Sequence, residues 1–478
     1  MIRRLALLAG PLALLLTVWL QPPPGLEPGA WRVAGLAAWM ALWWLTEAVP
    51  LEATSLLPLV LLPVTGGESF GKVAAAYADP VIFLFLGGFL IAAALERWDL
   101  HRRFAMATLR LVGTSPRRVI LAFLLITAFI SMWISNTAAA VMVLPIAAGV
   151  AGLERGGTID LAEPRRGFSI ALLLAVAYGA SIGGVATLIG TPPNALLAAN
   201  ARTLVGVEIS FASWLPIGLS ITIPLLAACW VILVLLFRVP RAAPGLLNEP
   251  SGRSPASPLG LGEWFVLVVF GLAALAWIAR EPKDFGSVRV PGLTDLLPGL
   301  TDSGIAIGAA MLLFAVPLPH ARHRFALDWE TARGISWGVL LLFGGGLALA
   351  AAAETSGLTG WFGARLSALG GLPLPLILLF TAALFALLTE FTSNTAVAAL
   401  AMPLLASVAG PLGVPPVPLM IAGAIACSMA FMLPVATPPN AIVFGYGVLR
   451  IRHMLRAGIL LDLVAVALIT VVVSLWSH

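Results

Sequence analysis

The chain has 478 residues, of which 60% are hydrophobic and only 10% charged, with a formal net charge of +5. A soluble globular domain carries about 25% charged residues, so this composition excludes one and indicates a polytopic membrane protein. The positive excess does not indicate a nucleic-acid partner, because the basic residues are almost all Arg and sit in short segments between apolar runs.

The first twenty residues, MIRRLALLAGPLALLLTVWL, have the charge and apolar run of a signal peptide. In a polytopic protein they read as the first span. A Pro/Gly linker follows from Gln21 to Gly29. Further spans are expected near Trp31–Ala48, Ser55–Val64 and Pro80–Leu95. The Arg-rich stretch from Arg97 to Arg118 is amphipathic enough to lie along a membrane surface.

Next comes ITAFISMWISNTAAAVMVLPIAA, apolar on both sides of Ser135-Asn136-Thr137. Ser, Asn and Thr are poor in helix interiors and good at turns and N-caps. A polar triplet within an apolar run of this length predicts a re-entrant hairpin over about Val119–Ala148. Irregular backbone at membrane depth is tolerated only where protein buries it or it lines a cavity. A fifth span, about Phe168–Ile189, breaks at Gly190-Thr191-Pro192-Pro193-Asn194, and a sixth covers about Phe211–Phe237.

The polar, Pro/Gly/Ser-rich segment 238–259 divides the chain and is expected to be a cytoplasmic linker. Spans then recur near Glu263–Ile278, Ser303–Val316 and Ser336–Ala353. A second hairpin, about Pro373–Ser407, centres on Ser393-Asn394-Thr395. A span from about Met420 breaks at Ala436-Thr437-Pro438-Pro439-Asn440, and the last covers about Met454–Trp476.

The halves match in register. Gly87 and Gly345, Glu96 and Glu354, Leu100 and Leu358, and Asn136 and Asn394 each lie 258 residues apart. The Thr-Pro-Pro-Asn breaks lie 246 apart, because the first half has a longer polar loop, Glu154–Arg166. Internal repeats are a common construction of secondary transporters. The expected organisation is therefore 1–30 (first span and linker), 31–237 (repeat 1), 238–259 (linker) and 260–478 (repeat 2).

Five complete spans per repeat is an odd number, which requires inverted topology. Charge tests this independently. With the N-terminus cytoplasmic, only Arg32, Lys72, Arg202, Arg280, Lys283, Arg289 and Arg365 fall outside, leaving 20 of the 27 Lys and Arg residues inside. The positive-inside rule thus supports an all-α protein of eleven spans with two re-entrant hairpins, N-terminus in and C-terminus out.

Two tips and two breaks expose helix termini near the midplane, where N–H groups attract anions and freed carbonyls and hydroxyls attract cations. Small oxygen ligands suit a hard monovalent cation such as Na⁺. The windows 119–153, 167–201 and 366–449 contain no Lys or Arg. An anionic substrate would be held there by amides, hydroxyls and dipoles, with bound cations supplying positive charge.

Glu390 is the only acid in 366–449. An intramembrane carboxylate is a functional candidate, here for a proton, but its counterpart in the first repeat is Met132, which favours a structural acid near the tip. Glu47 reads as a cap or interfacial acid. Gly87-Gly88 and Gly344-Gly345-Gly346 predict close helix packing, not phosphate loops. The Trp residues are expected near span ends. Cys229 and Cys427 read as small core residues. The histidines, His101, His320, His323, His453 and His478, are expected in loops or at the terminus, so no zinc or haem site is indicated.

Paired Ser-Asn-Thr motifs, each followed by a Thr-Pro-Pro-Asn break, together with WWLTEAVP, resemble the divalent anion/sodium symporter family, the sodium/dicarboxylate and sodium/sulfate carriers. The resemblance covers nearly the whole chain. It implies a homodimer in a bacterial-type inner membrane, with membrane lipid around it, each protomer pairing a scaffold with a mobile transport domain that works as an elevator. It implies a first sodium site from Ser131, Ser135, Asn136 and the Gly190 carbonyl, and a second from Thr389, Ser393, Asn394 and the Ala436 carbonyl. Substrate carboxylates would meet Asn136, Thr137, Asn394 and Thr395, flanked by Thr191, Pro192, Thr437 and Pro438.

The leading expectation is Na⁺-coupled import of a C4-dicarboxylate such as succinate, malate or fumarate. Sodium-independent exchange, sulfate or citrate import, and, from another class, an anion channel stay open. A membrane-embedded enzyme would need clustered His, Asp, Glu or Cys within the spans, and the sequence has none.

Overall fold

The structure is a computed structural model that describes residues 2–100, 103–104, 115–153, 164–241, 258–285, 288–319, 321, 323–366 and 371–477. The expected surface helix over 97–118, the loop 154–166 and the linker 238–259 fall largely outside the described residues. Among the described residues, six helices are long and apolar enough to cross a membrane: Phe70–Arg97, Arg165–Val185, Phe211–Leu236, Leu261–Ala279, Trp337–Thr355 and Ile451–Trp476. Among the same residues the all-α expectation holds apart from one small ribbon, Lys283–Phe285 paired antiparallel with Val288–Val290. Where a span was expected at 55–64 there are two short helices, Leu51–Thr54 and Leu57–Val64, the second with Pro58 in its first turn and Pro63 inside.

Both polar triplets start the second helix of a pair, at the turn between the two. Pro116–Ser131 turns into Asn136–Ala151, and Leu374–Thr389 turns into Asn394–Ala409. Both expected breaks are also present. Arg165–Val185 stops six residues short of Pro192–Asn200, and Pro416–Ala426 stops well before Pro438–Phe444. Each restart has Pro at its first helical position, where the missing N–H costs no helical hydrogen bond.

The packing interlocks the halves. The restart Pro192–Asn200 packs on Asn394–Ala409 and Pro416–Ala426. Reciprocally, Pro438–Phe444 packs on Arg165–Val185 and Asn136–Ala151. Around them Phe211–Leu236 and Ile451–Trp476 pack on each other and close one body. Tyr178 ties the two broken elements, its hydroxyl donating to the Phe431 carbonyl at 2.8 Å. A second body groups the N-terminal helices with Leu261–Ala279, Asp302–Ala315 and Trp337–Thr355. The spatial grouping therefore cuts across the two sequence halves.

The glycine pairs do what close packing requires. A Cβ at Gly87 would lie 2.5 Å from the Ala306 backbone, and one at Gly345 would lie 2.3 Å from the Ser55 carbonyl oxygen. Trp44, Trp214 and Trp277 lie near helix ends, as expected, and are fully buried. Each indole N–H finds a carbonyl, of Leu51, Val185 and Asp302 respectively, so burial orphans no donor. His453 lies in the first turn of Ile451–Trp476 rather than in a loop, with Nδ1 accepting the Arg450 N–H. Cys229 and Cys427 are buried free thiols.

Candidate functional site

The two polar turns share one construction. In the first, the Ser131 hydroxyl is fully buried and lies 2.8 Å from Asn136 Oδ1 and 2.7 Å from the Ala180 carbonyl oxygen. In the second, the buried Thr389 hydroxyl lies 2.6 Å from Asn394 Oδ1 and 2.8 Å from the Cys427 carbonyl oxygen. A hydroxyl has one proton, and here it faces two acceptors. Each turn thus gathers three oxygens with more lone pairs than donors, which is the donor set a hard monovalent cation takes.

Glycine makes the first cluster possible. A Cβ at Gly184 would lie 2.4 Å from Asn136 Oδ1 and 3.1 Å from the Gly190 carbonyl oxygen. The broken span therefore lies against the turn, with Gly190 next to the Asn136 amide. In the second half Ala436 sits in the turn after Leu433, to whose carbonyl its N–H donates.

Ser135 and Ser393 are the N-caps of the return helices. The Ser135 hydroxyl accepts the Ala138 N–H at 3.3 Å, whereas Ser393 makes no side-chain cap bond. Asn136, Thr137, Asn394 and Thr395 occupy the first turns of these 16-residue helices, half-buried. Unpaired first-turn N–H groups and the helix dipole favour an anion there. Thr191 and Thr437 are buried N-caps of the restarts, and the Thr437 hydroxyl accepts the Asn440 N–H. Pro192 and Pro438 follow them, the former half-buried and the latter exposed.

Several residues that sequence reasoning left unassigned hold this geometry. Asn194 Nδ2 donates to the Thr187 carbonyl at 2.8 Å and lies near those of Gly184 and Val185. Asn440 Nδ2 donates to Ala430 and Leu433, both at 3.0 Å. These positions repeat at the 246-residue offset, which was a readable signal. The Thr187 hydroxyl donates to the Met132 carbonyl, joining the first break to the first turn.

Glu390 makes the matching joint in the second half. Its carboxylate accepts N–H bonds from Phe431 and Met432 at 2.6 and 2.7 Å and from Leu433 at 3.0 Å. Asp462, only 8% exposed on the final long helix, lies beside it. An acid within an apolar helix is a signal that the sequence offered and that went unused.

A cavity of about 490 Å³ reaches the first turn, lined by Ser135 and Ala138 together with Phe89, Glu96, Arg97 and Ser336. At the second turn, Ala396 is completely buried.

Residues 3–478 match the family described as the sodium:sulfate symporter transmembrane region. The chain is 41% identical over 478 residues to the sodium-dependent dicarboxylate transporter SdcS of Staphylococcus saprophyticus, covering 98% of this chain and 90% of that protein. It is 39% identical over 481 residues to SdcS of Staphylococcus aureus strain USA300, with the same coverage. Among solved structures, the YdaH transporter of Alcanivorax borkumensis aligns with a TM-score of 0.53 at 17% identity, over 85% of this chain and 87% of that one. MtrF of Neisseria gonorrhoeae aligns with a TM-score of 0.50 at 12% identity, over 96% and 97%. These two likenesses concern the fold alone.

Proposed function

The chain belongs to the sodium:sulfate symporter family, a family of multi-pass membrane transporters and not of enzymes, and we propose that this member couples Na⁺ entry to import of a C4-dicarboxylate. The observation that carries the reading is the duplicated oxygen cluster, Ser131/Asn136/Ala180 in one half and Thr389/Asn394/Cys427 in the other. Each cluster takes one Na⁺, with the Gly190 and Ala436 carbonyls completing the two sets. The dianion binds between the turns, one carboxylate at Asn136 and Thr137 and the other at Asn394 and Thr395. Thr191, Pro192, Thr437 and Pro438 flank it.

In this reading the paired helices are re-entrant hairpins, entering from opposite faces of an eleven-span protein whose N-terminus is cytoplasmic. The protein is a homodimer of the bacterial inner membrane. The interlocked body carries the site as a mobile elevator against the second body, which is the scaffold. No described Lys or Arg lies in the turns or breaks, so bound Na⁺ supplies the charge that compensates the dianion, and substrate affinity rises with Na⁺ by reciprocal linkage.

Uptake of labelled succinate into proteoliposomes tests this. An inward Na⁺ gradient should drive saturable accumulation that stops when choline replaces Na⁺. Equal rates in choline would overturn sodium coupling and leave exchange. A flux that does not saturate would mean a channel.

A further inference from the structure

The 490 Å³ cavity is far larger than one dicarboxylate needs, and its lining is chemically mixed. Ser135 and Ala138 of the first turn contribute to it, as do Glu96 and Arg97 at the end of the helix Pro80–Arg97. Arg97 pairs with the segment 328–336. Its Nη2 lies 2.5 Å from Asp328 Oδ2 and its Nη1 donates to the Thr331 hydroxyl at 3.3 Å. The arginine side chain is 13% exposed and Asp328 is 43% exposed. The segment is anchored independently of this pair, because Trp98 Nε1 donates to the Ala326 carbonyl at 2.9 Å.

The Thr331 N–H, with Arg97, holds the pKa of the Asp328 carboxyl down to about 2, so Asp328 meets this guanidinium as a carboxylate at neutral pH. The repeat adds a second observation. Glu96 is repeated as Glu354, but the counterpart of Arg97 at the 258 offset is Thr355. The arginine belongs to one face of the transporter only.

Resting on the transport reading above, we propose that Arg97 is an anion station in the inner vestibule, where a substrate carboxylate leaving or approaching the first turn replaces Asp328 on the guanidinium. One carboxylate substitutes for another, so the swap conserves charge. The guanidinium's five N–H groups can donate bidentately to a carboxylate, and Asp328 keeps the Thr331 N–H, 2.9 Å away, when it lets go of Arg97. The dianion therefore meets this fixed cation on the inner side, and the second repeat has no arginine at the equivalent position. Glu96 in the same wall confines the landing point to the guanidinium.

Inside-out and right-side-out vesicles separate the two faces, with succinate as the probe and Na⁺ saturating. Arg97→Gln should raise the inner-face half-saturation roughly tenfold, the scale of a lost charged hydrogen bond, with no equal change at the outer face. Asp328→Asn keeps the cap on the Thr331 N–H and releases the guanidinium, so it should lower the inner-face value severalfold. A merely structural ion pair would make both variants worse. An unchanged inner-face value in Arg97→Gln, equal shifts at both faces, or an unchanged or raised value in Asp328→Asn overturns the station. If Arg97→Gln fails to fold, Asp328→Asn alone decides. Loss of Na⁺-dependent succinate transport in the wild type would instead overturn the transport reading.

Discussion

Asn136 and Asn394 each bring one side-chain oxygen against a buried hydroxyl, and Ala would leave that hydroxyl with a backbone carbonyl alone. An unmade contact to a charged group costs about 1–3 kcal/mol, so Asn136→Ala and Asn394→Ala should each raise the Na⁺ half-saturation for uptake ~5- to 150-fold. Normal sodium dependence in both would remove the cation assignment. Glu390 makes a different case. In Glu390→Gln the amide turns a donor toward a backbone N–H of the 431–433 segment, losing at least one of three bonds. The segment precedes Ala436, so weaker Na⁺ activation should accompany a lower melting temperature. A lower melting temperature with normal Na⁺ activation would make Glu390 structural only. The sequence showed Glu390 as an acid without a partner. Its three donors come from about forty residues away, and no local pattern encodes that.

The elements depend on backbone approach. Gly184 has Asn136 Oδ1 where a Cβ would stand, whereas nothing lies within 4 Å of such an atom at Gly149. Gly184→Ala should therefore raise the Na⁺ half-saturation more than tenfold without removing a ligand, and Gly149→Ala, in the helix Asn136–Ala151, should leave it unchanged. Equal behaviour of the two variants would contradict the close contact. The paired helices and the breaks were legible because Ser-Asn-Thr and Thr-Pro-Pro-Asn are local signals, a cap set and a proline start, and each occurs twice. The carbonyls of Ala180 and Cys427 were not legible, since every residue has one and only the packed helix decides where it points. The burial of the tryptophans was not legible for a similar reason: Trp214 is satisfied by the Val185 carbonyl, which becomes available only because the helix stops there.

At the scale of the molecule, the repeat offset announced two halves but not how they combine. Each restart helix packs into the opposite half, so in the proposed reading the two cation clusters belong to one body and move together. Under the proposed function, that arrangement, with the cavity at the first turn and Ala396 buried at the second, is one of two related states that expose the site alternately. The most direct measurement of this claim uses single cysteines at Ala138 and Ala396 in a background with Cys229 and Cys427 replaced by Ala. Without ligand, the residue-138 thiol should react with a membrane-impermeant reagent from the cytoplasmic side. The residue-396 thiol should react mainly from outside, and Na⁺ with succinate should change both rates by shifting the populations. Labelling of both thiols from the same side, whatever the ligand, would contradict alternating access through inverted repeats.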